Sequence, residues 1–463
     1  MLRLLLVPVL TLTAIATPLK IVTIGDSLTD GYDEVRKLAE VPLLNFLLEG
    51  TVYPEPDFPN PDGNPRAFNW PELLSIFRSG EVDFGTEGDW GGIEEGFLGL
   101  PEPVGDLRFK GYQRNFAVVG TTTLNWTSLL ISDPVDDGFF PANLLYPDTK
   151  SALLSELATA DVAVIFLGGN DLKNDYDQIF NTADASAFLD PIVSRLEDIH
   201  TAVRTAQANL PVVVATVPDV GATPNIYQVY NVPAQQTATR AQIAAMNQTI
   251  ISTFEAKSLT AVARVDRLTD LAFDLSPFHL NGTEFTIEGD PYNDPDHLFC
   301  KDDFHPGTAA QALVANEIMA AINELIPSSM TPFTNREILG SALLLNPDQP
   351  YVDWATGYGV SPDSFDTDSD GDNLSNGIEM LINSSPVVAN APFTGSWRPG
   401  GTLGFTISSS ASRYLNWAAE ESVDLSTWTE VPEARFSLTG EAATATPPTG
   451  SQNFFRLRST PKP

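Results

Sequence analysis

Four short stretches of this sequence carry the residue types of nucleophilic acyl chemistry, and they lie far apart along the chain. IVTIGDSLTDG sets Ser27 directly after an apolar run, with glycines that permit a sharp turn into a following helix. A hydroxyl there would lie beside backbone N–H groups able to receive a developing oxyanion, although Ser and Asp also cap helices, so this stretch alone decides nothing. NFAVVG ends in Gly120 and VIFLGGND contains Asn170; a backbone N–H and a side-chain amide are the donors an oxyanion hole needs. DDFHP places Asp302 three residues before His305, so one loop can supply a general base and the carboxylate that fixes its tautomer and stabilises its imidazolium. Asp303 is closer to the histidine in sequence but projects differently, and Asp302 is preferred. Asp26 and Asp30 read as turn and cap residues. His200, His279 and His297 stand in no comparable motif, and Cys300, the sole cysteine, reads as a packed thiol.

For these segments to converge, each must end a strand at one edge of a sheet. Apolar runs at Lys20–Ile24, Asn115–Val119, Val162–Leu167, Pro211–Val217 and Ala261–Val265 alternate with helical patterns at Asp184–Asn209, Gln235–Lys257 and Thr308–Leu325. This is the rhythm of a doubly wound parallel sheet, whose carboxyl-edge loops gather residues distant in sequence. Residues 45–112 interrupt the rhythm with Pro, Gly, Asp and the aromatics Phe58, Trp70, Trp90, Phe97, Phe109 and Tyr112; within them only Phe68–Phe77 looks helical. Such an insertion can wall a cleft, but scattered aromatics more often form a satellite core.

In this order, GDSLTDG, NFAVVG, GGND and DDFHP resemble the four blocks of the SGNH or GDSL hydrolases, and VVVATVPDVGATP is similar to that family's fourth-strand segment. The resemblance spans roughly residues 20–327. It implies a three-layer α/β/α, flavodoxin-like hydrolase domain with a parallel five-stranded sheet, acting on esters, lipase-like or on acylated carbohydrates, with no cofactor in the chemistry. Carried over by position, Ser27 is the nucleophile, its amide joins Gly120 and Asn170 in the oxyanion hole, and Asp302 and His305 complete the triad. The long insertion departs from the family pattern and leaves the substrate class open.

The remainder of the chain sets the context. Its 463 residues include 25 Lys plus Arg against 60 Asp plus Glu, a net charge of -35 that repels phosphate backbones, so nucleic acid is excluded as a partner. Arg3, the uncharged run Leu4–Ala16 and Ala14-x-Ala16 read as a secretory signal over 1–16, and no segment is long enough to span a bilayer. A secreted or extracellular bacterial enzyme is expected, with 19–327 as the hydrolase domain and 328–365 as a connector bearing a short apolar helix near Ile338–Leu345. The acidic run at 366–386 fits a calcium loop in the register Asp368, Asp370, Asp372, Glu379, with Asn373 at the turn, the Leu374 carbonyl and Asn376 as further ligands. The competing register from Asp366 keeps Gly371 at the turn but ends on Gly377, which cannot supply the closing carboxylate. This run resembles thrombospondin-type calcium repeats, which implies a structural calcium ion. From 390 to 463, TLGFTI, YLNWA and NFFRLR read as an antiparallel β module suited to polysaccharide or cell-surface contact. The alternative function is a calcium-braced, non-catalytic surface protein with a degenerate hydrolase domain. The presence of every chemically required residue argues against it.

Overall fold

The computed structural model describes residues 17–30, 67–95, 101–131, 147–274, 277–287, 295–300, 302–389, 396–398, 402–447 and 454–463. The expected leader, Phe58 and Phe97, and the helix expected to follow Ser27 lie outside these residues. In chain order, β1 (Leu19–Gly25) is followed by α1 (Trp70–Phe77), β2 (Val82–Asp83), β3 (Glu87–Glu95), β4 (Pro101–Tyr112), α2 (Thr123–Ile131), α3 (Pro147–Leu157) and β5 (Val162–Phe166). Then come α4 (Gly169–Phe180), α5 (Ser186–Ala206), β6 (Val212–Ala215), α6 (Pro224–Val229), α7 (Pro233–Glu255), β7 (Thr260–Ala263), α8 (Asp266–Asp274) and, after a short hairpin, α9 (Thr308–Leu325).

The strands are short runs of β-branched and small apolar residues, and they pair in parallel in the order β2-β1-β5-β6-β7. Their side chains alternate between two cores. Val22, Ile24, Ile165 and Val214 pack with Leu196 and Ile199 of α5 and Ile250 and Phe254 of α7. Ile21, Val164 and Val213 pack on the other face with Trp70 and Leu73 of α1 and Ile318 and Ile322 of α9. Burial on both faces explains why these strands read as unbroken apolar runs rather than as alternating ones. Each fully buried Ile or Val is worth about 1.5–3 kcal/mol relative to exposure, so the helices are pinned to both sides of the sheet.

One expected strand is corrected. Asn115–Val119 forms only an isolated parallel bridge to Thr23, and the edge strand is β2, paired through Leu19 with Val82 and Lys20 with Asp83. The segment does run beside the upper half of β1, with Phe116 N donating to Thr23 O and Val118 N to Gly25 O. The Asn115 side chain breaks the ladder: its Oδ1 accepts from Ala117 N at 3.2 Å and from Thr23 Oγ1 at 2.6 Å, turning the backbone on itself. The insertion also differs from expectation. Its β3–β4 hairpin shifts register around Gly91, which disrupts the alternation a reader would look for. Phe68 and Trp70 belong to the main core rather than a satellite one. Asn69 starts α1 with a capping box to Glu72, one residue pair inside the helical window expected at Phe68–Phe77.

The expected connector helix is a single wide turn at Ile338–Ala342, and a second helix, α10 (Gln349–Tyr358), follows unannounced. After α11 (Asn376–Ile382), the tail forms antiparallel sheets of four and three strands. The expected strand segments fall at Thr402–Thr406, Leu415–Ser422 and Phe454–Pro461. Among the described residues no helix is long and apolar enough to cross a membrane.

Candidate active site

β1 delivers Ser27 to the carboxyl edge of the sheet. A Cβ on Gly25 would lie 2.7 Å from the Thr29 Cβ, so only glycine lets the chain leave the strand in so tight a turn. The turn closes through Thr29 N and Asp30 N, which both donate to Asp26 O. Asn69 and Asn115 then hold it from outside: the Asn69 amide donates to the Thr29 and Asp30 carbonyls, and the Asn115 amide to the Thr29 carbonyl at 2.8 Å.

The loop before α9 carries the partners. His305 Nε2 stands 2.9 Å from Ser27 Oγ, and His305 Nδ1 stands 2.5 Å from Asp302 Oδ2. Asp302 Oδ1 also accepts from Phe304 N and His305 N, which folds the loop around the carboxylate. Burial alone would raise the Asp302 pKa, but the hydrogen bonds and charge of His305 and the backbone N–H groups outweigh it and hold the carboxyl below its ordinary range. An ionised carboxylate only accepts, so Nδ1 carries the proton and Nε2 is free to accept from the Ser27 hydroxyl. Asp303 takes a left-handed backbone at φ 57°, and its carbonyl accepts from Asn225 N. Asp302 is the carboxylate that meets the imidazole at Nδ1.

Asn170 lies in the first turn of α4, just after β5, and its Nδ2 donates to Thr121 O at 3.0 Å. That bond ties Gly120, at φ 74°, to the Asn170 side. The amides of Ser27 and Gly120 make no hydrogen bond among the described residues, and one Asn170 hydrogen remains unused. Three donors are thus left at the edge that holds the hydroxyl.

Two further residues position this edge: Asp171, to which the sequence reading gave no role, and Asp26, which it read as a turn or cap residue. Asp171 accepts from Thr123 N and Thr123 Oγ1 at the start of α2, fixing the chain just after Gly120; its place in GGND was the available signal. Asp26 is buried beneath the turn and accepts from Leu28 N. Its carboxyl is pushed up to about 7, by burial first and by the nearby charge of Asp171.

The remaining candidates are structural. His200 is buried against Thr260 Oγ1 at 2.9 Å, and burial pushes its pKa down to about 4. His279 contacts the Pro277 carbonyl, and His297 contacts Asp296. Burial pushes the Cys300 thiol up, as a packed thiol requires.

In the acidic loop, ligand atoms of Asp368, Asp370 and Asp372 lie within 4.8 Å of one another. Asp368 accepts from the N–H groups of Gly371, Asp372 and Asn373, and Leu374 N donates to Asp372 Oδ1. Asn373 takes φ 74°, the left-handed turn assigned to it, and Gly371 takes φ 84°. Asn376 and Glu379 are fully buried at the start of α11. Asn376 spends its amide on Ser364 and Ser369, while Asn376 Oδ1, Asp370 Oδ2 and Glu379 Oε2 are buried without a partner. Glu379 stands outside the tight group of three aspartates.

The family model of the GDSL-like lipase/acylhydrolases matches residues 21–318. No curated protein matches the chain in sequence. Among solved structures, it is similar to a lipase from a goat rumen metagenome, with 13% identity and a TM-score of 0.33 over 65% of this chain and 97% of that one. It is also similar to a family 3 carbohydrate esterase from Talaromyces cellulolyticus, with 14% identity and a TM-score of 0.30 over 66% and 98% of the two chains. A family 3 carbohydrate esterase from Clostridium thermocellum matches with 14% identity and a TM-score of 0.30 over 68% and 100%. Likeness at this level says nothing about substrate. The family match covers the Ser27 turn, Gly120, Asn170 and the His305 loop together, and the chain belongs to the GDSL-like lipase/acylhydrolases, hydrolases acting on ester bonds.

Proposed function

We propose that the protein is a secreted serine esterase in which Ser27, His305 and Asp302 hydrolyse carboxylic esters. The observation that carries this reading is the continuous chain from Ser27 Oγ through His305 to Asp302. His305 Nε2 takes the hydroxyl proton as Oγ attacks the ester carbonyl, and Asp302 balances the imidazolium. The amides of Ser27 and Gly120 and the side chain of Asn170 receive the oxyanion. His305 returns the proton to the leaving alcohol, and water then repeats the sequence on the acyl-enzyme. A fluorophosphonate probe tests the assignment: it should label Ser27, and Ser27→Ala should lose both labelling and ester hydrolysis, by about 10⁴-fold or more. Hydrolysis that persists in folded Ser27→Ala rules the mechanism out. Secretion rests on the 1–16 leader, and mass spectrometry of the exported chain for an N-terminus at residue 17 tests it.

For the acidic loop we propose a structural calcium ion held by Asp368, Asp370, Asp372, Asn376 and Glu379, with the Leu374 carbonyl completing the set. The buried, unpartnered oxygens of Asp370, Asn376 and Glu379 support it, because oxygens withdrawn from water without a donor are costly unless a cation meets them. The loop is closed on itself by Asn376 N to Thr367 O and Gly377 N to Phe365 O, and α11 behind it packs on the strand Phe454–Pro461. The ion would brace the tail against the connector and take no part in the chemistry.

A further inference from the structure

Beside Ser27, the carboxyl ends of β5, β6 and β7 border a cavity of about 110 Å³ that no side chain among the described residues fills. Its walls are apolar: Phe166 and Val265 from the strand ends, Leu268 and Ala272 from α8, and Leu298 and Val314. Of the polar side chains on its perimeter, Ser27 and Asn170 belong to the catalytic site, and Asp26, Thr223, Thr269 and Gln311 hydrogen-bond within the chain. Asp219 Oδ1 accepts from Gly221 N at 2.9 Å, and Gln311 bridges Trp70 N and the Leu28 carbonyl. Water in such a space finds few partners, so an aliphatic group is the better occupant. For scale, an apolar cavity of about 150 Å³ accommodates benzene, which makes this one suited to about four carbons.

The cavity meets the catalytic site at Ser27 and Asn170, which hold the carbonyl carbon and its oxygen; Phe304 and Pro306 of the catalytic loop border it, and His305 between them is not among its described lining. Since His305 must face the leaving alcohol, the chain attached to the carbonyl carbon enters the cavity and the alcohol stays outside. Resting on the assignment of Ser27 as nucleophile, we infer that the substrates are esters of short straight-chain acids of about four carbons, rather than acetyl esters.

The test measures kcat/KM on the full-length protein for one alcohol esterified with acetate, propionate, butyrate and hexanoate. Each buried methylene should raise kcat/KM by about fourfold until the cavity is full, after which the series levels off. A parallel series of acetate esters with methyl to butyl alcohols should rise much less. Ala272→Phe, which adds a ring to the half-buried α8 wall, should lower the butyrate-to-acetate ratio by about tenfold. Val314→Ala, which deepens the cavity, should move the optimum to a longer acid. A flat acyl series with normal labelling of Ser27 overturns the inference while leaving the triad standing, and a steep alcohol series with a flat acyl one assigns the cavity to the leaving group instead. Absence of both labelling and hydrolysis takes the inference down together with the triad.

Discussion

Asp302 and Glu379 are both withdrawn from solvent, yet their surroundings drive them in opposite directions. Asp302 meets the His305 ring and two backbone N–H groups, and these overcome burial to keep it ionised. Glu379 is pushed up to about 7, by burial first and then by Asp370 and Asp372. The Ser27 edge supplies its own counter-charges. The acidic loop leaves three buried oxygens unpartnered, which is what a site for a separate cation requires. The comparison sets a site complete when folded against one that we propose an ion completes, and each half can be broken independently.

On the complete side, Asp302→Asn should lower kcat by about 10³–10⁴-fold, because a neutral amide neither fixes the Nδ1–H tautomer nor balances the imidazolium. Asp303→Asn should stay within about threefold of the parent, since Asn tolerates the left-handed backbone and the carbonyl bond to Asn225 N is unchanged. Steady-state kinetics on the two variants decides it, and equal losses would remove Asp302 from its special place. Asn170→Ala should lower kcat by about a hundredfold with a smaller change in KM, as expected for a donor that acts on the transition state. A change confined to KM would contradict that role.

These residues were legible because each is a fixed chemical type at the end of a strand, and spacing within a motif survives any error in the strand itself. Asn115–Val119 shows this: its expected strand status was wrong, yet the segment still brings Gly120 to the Ser27 edge, because the Asn115 side chain replaces the ladder while keeping the chain beside β1. The apolar cavity was not legible. Phe166, Val265, Leu298 and Val314 differ from core residues only in facing a gap, and periodicity cannot distinguish a filled face from an unfilled one. Nor was the second role of Asn69, which serves both as the α1 cap and as a clamp on the nucleophile turn through donors that a local motif does not reveal. The β3–β4 hairpin escaped notice because its bulge at Gly91 breaks the period on which strand recognition depends.

On the incomplete side, adding calcium at a hundred times its dissociation constant to the chelated protein should stabilise the tail by about 2.7 kcal/mol through mass action. Limited proteolysis around residues 366–386 and differential scanning calorimetry in calcium and in chelator would show it. Glu379→Ala should abolish the calcium response, because it removes the closing carboxylate. Hydrolysis of a small soluble ester should persist in chelator, since the triad holds no metal ligand. Thermograms that ignore calcium would make the loop a solvated acidic stretch with no ion, and prompt loss of hydrolysis would place a metal in the catalytic half.

The smallest effect comes from Asp26, where the catalytic edge breaks its own rule. This carboxyl is buried like Glu379 and raised to about 7, and a proton takes the place of the counter-charge. The sign follows from linkage. Between its ordinary value of 3.8 and about 7, the folded protein keeps a proton that the unfolded chain has released. Stability therefore falls as pH rises through that window and levels off above it, by at most a few kcal/mol after relaxation (roughly 1.4 kcal/mol for each pKa unit). Asp26→Asn keeps an acceptor for Leu28 N and removes the titration. The variant's stability relative to the parent should thus improve between pH 4 and pH 7, roughly the span of the shift, and stay constant beyond it. Urea denaturation at pH 5 and pH 8 measures the difference. Parallel curves for parent and variant would mean that Asp26 is answered by a charge after all, and the contrast between the two regions would then have no exception.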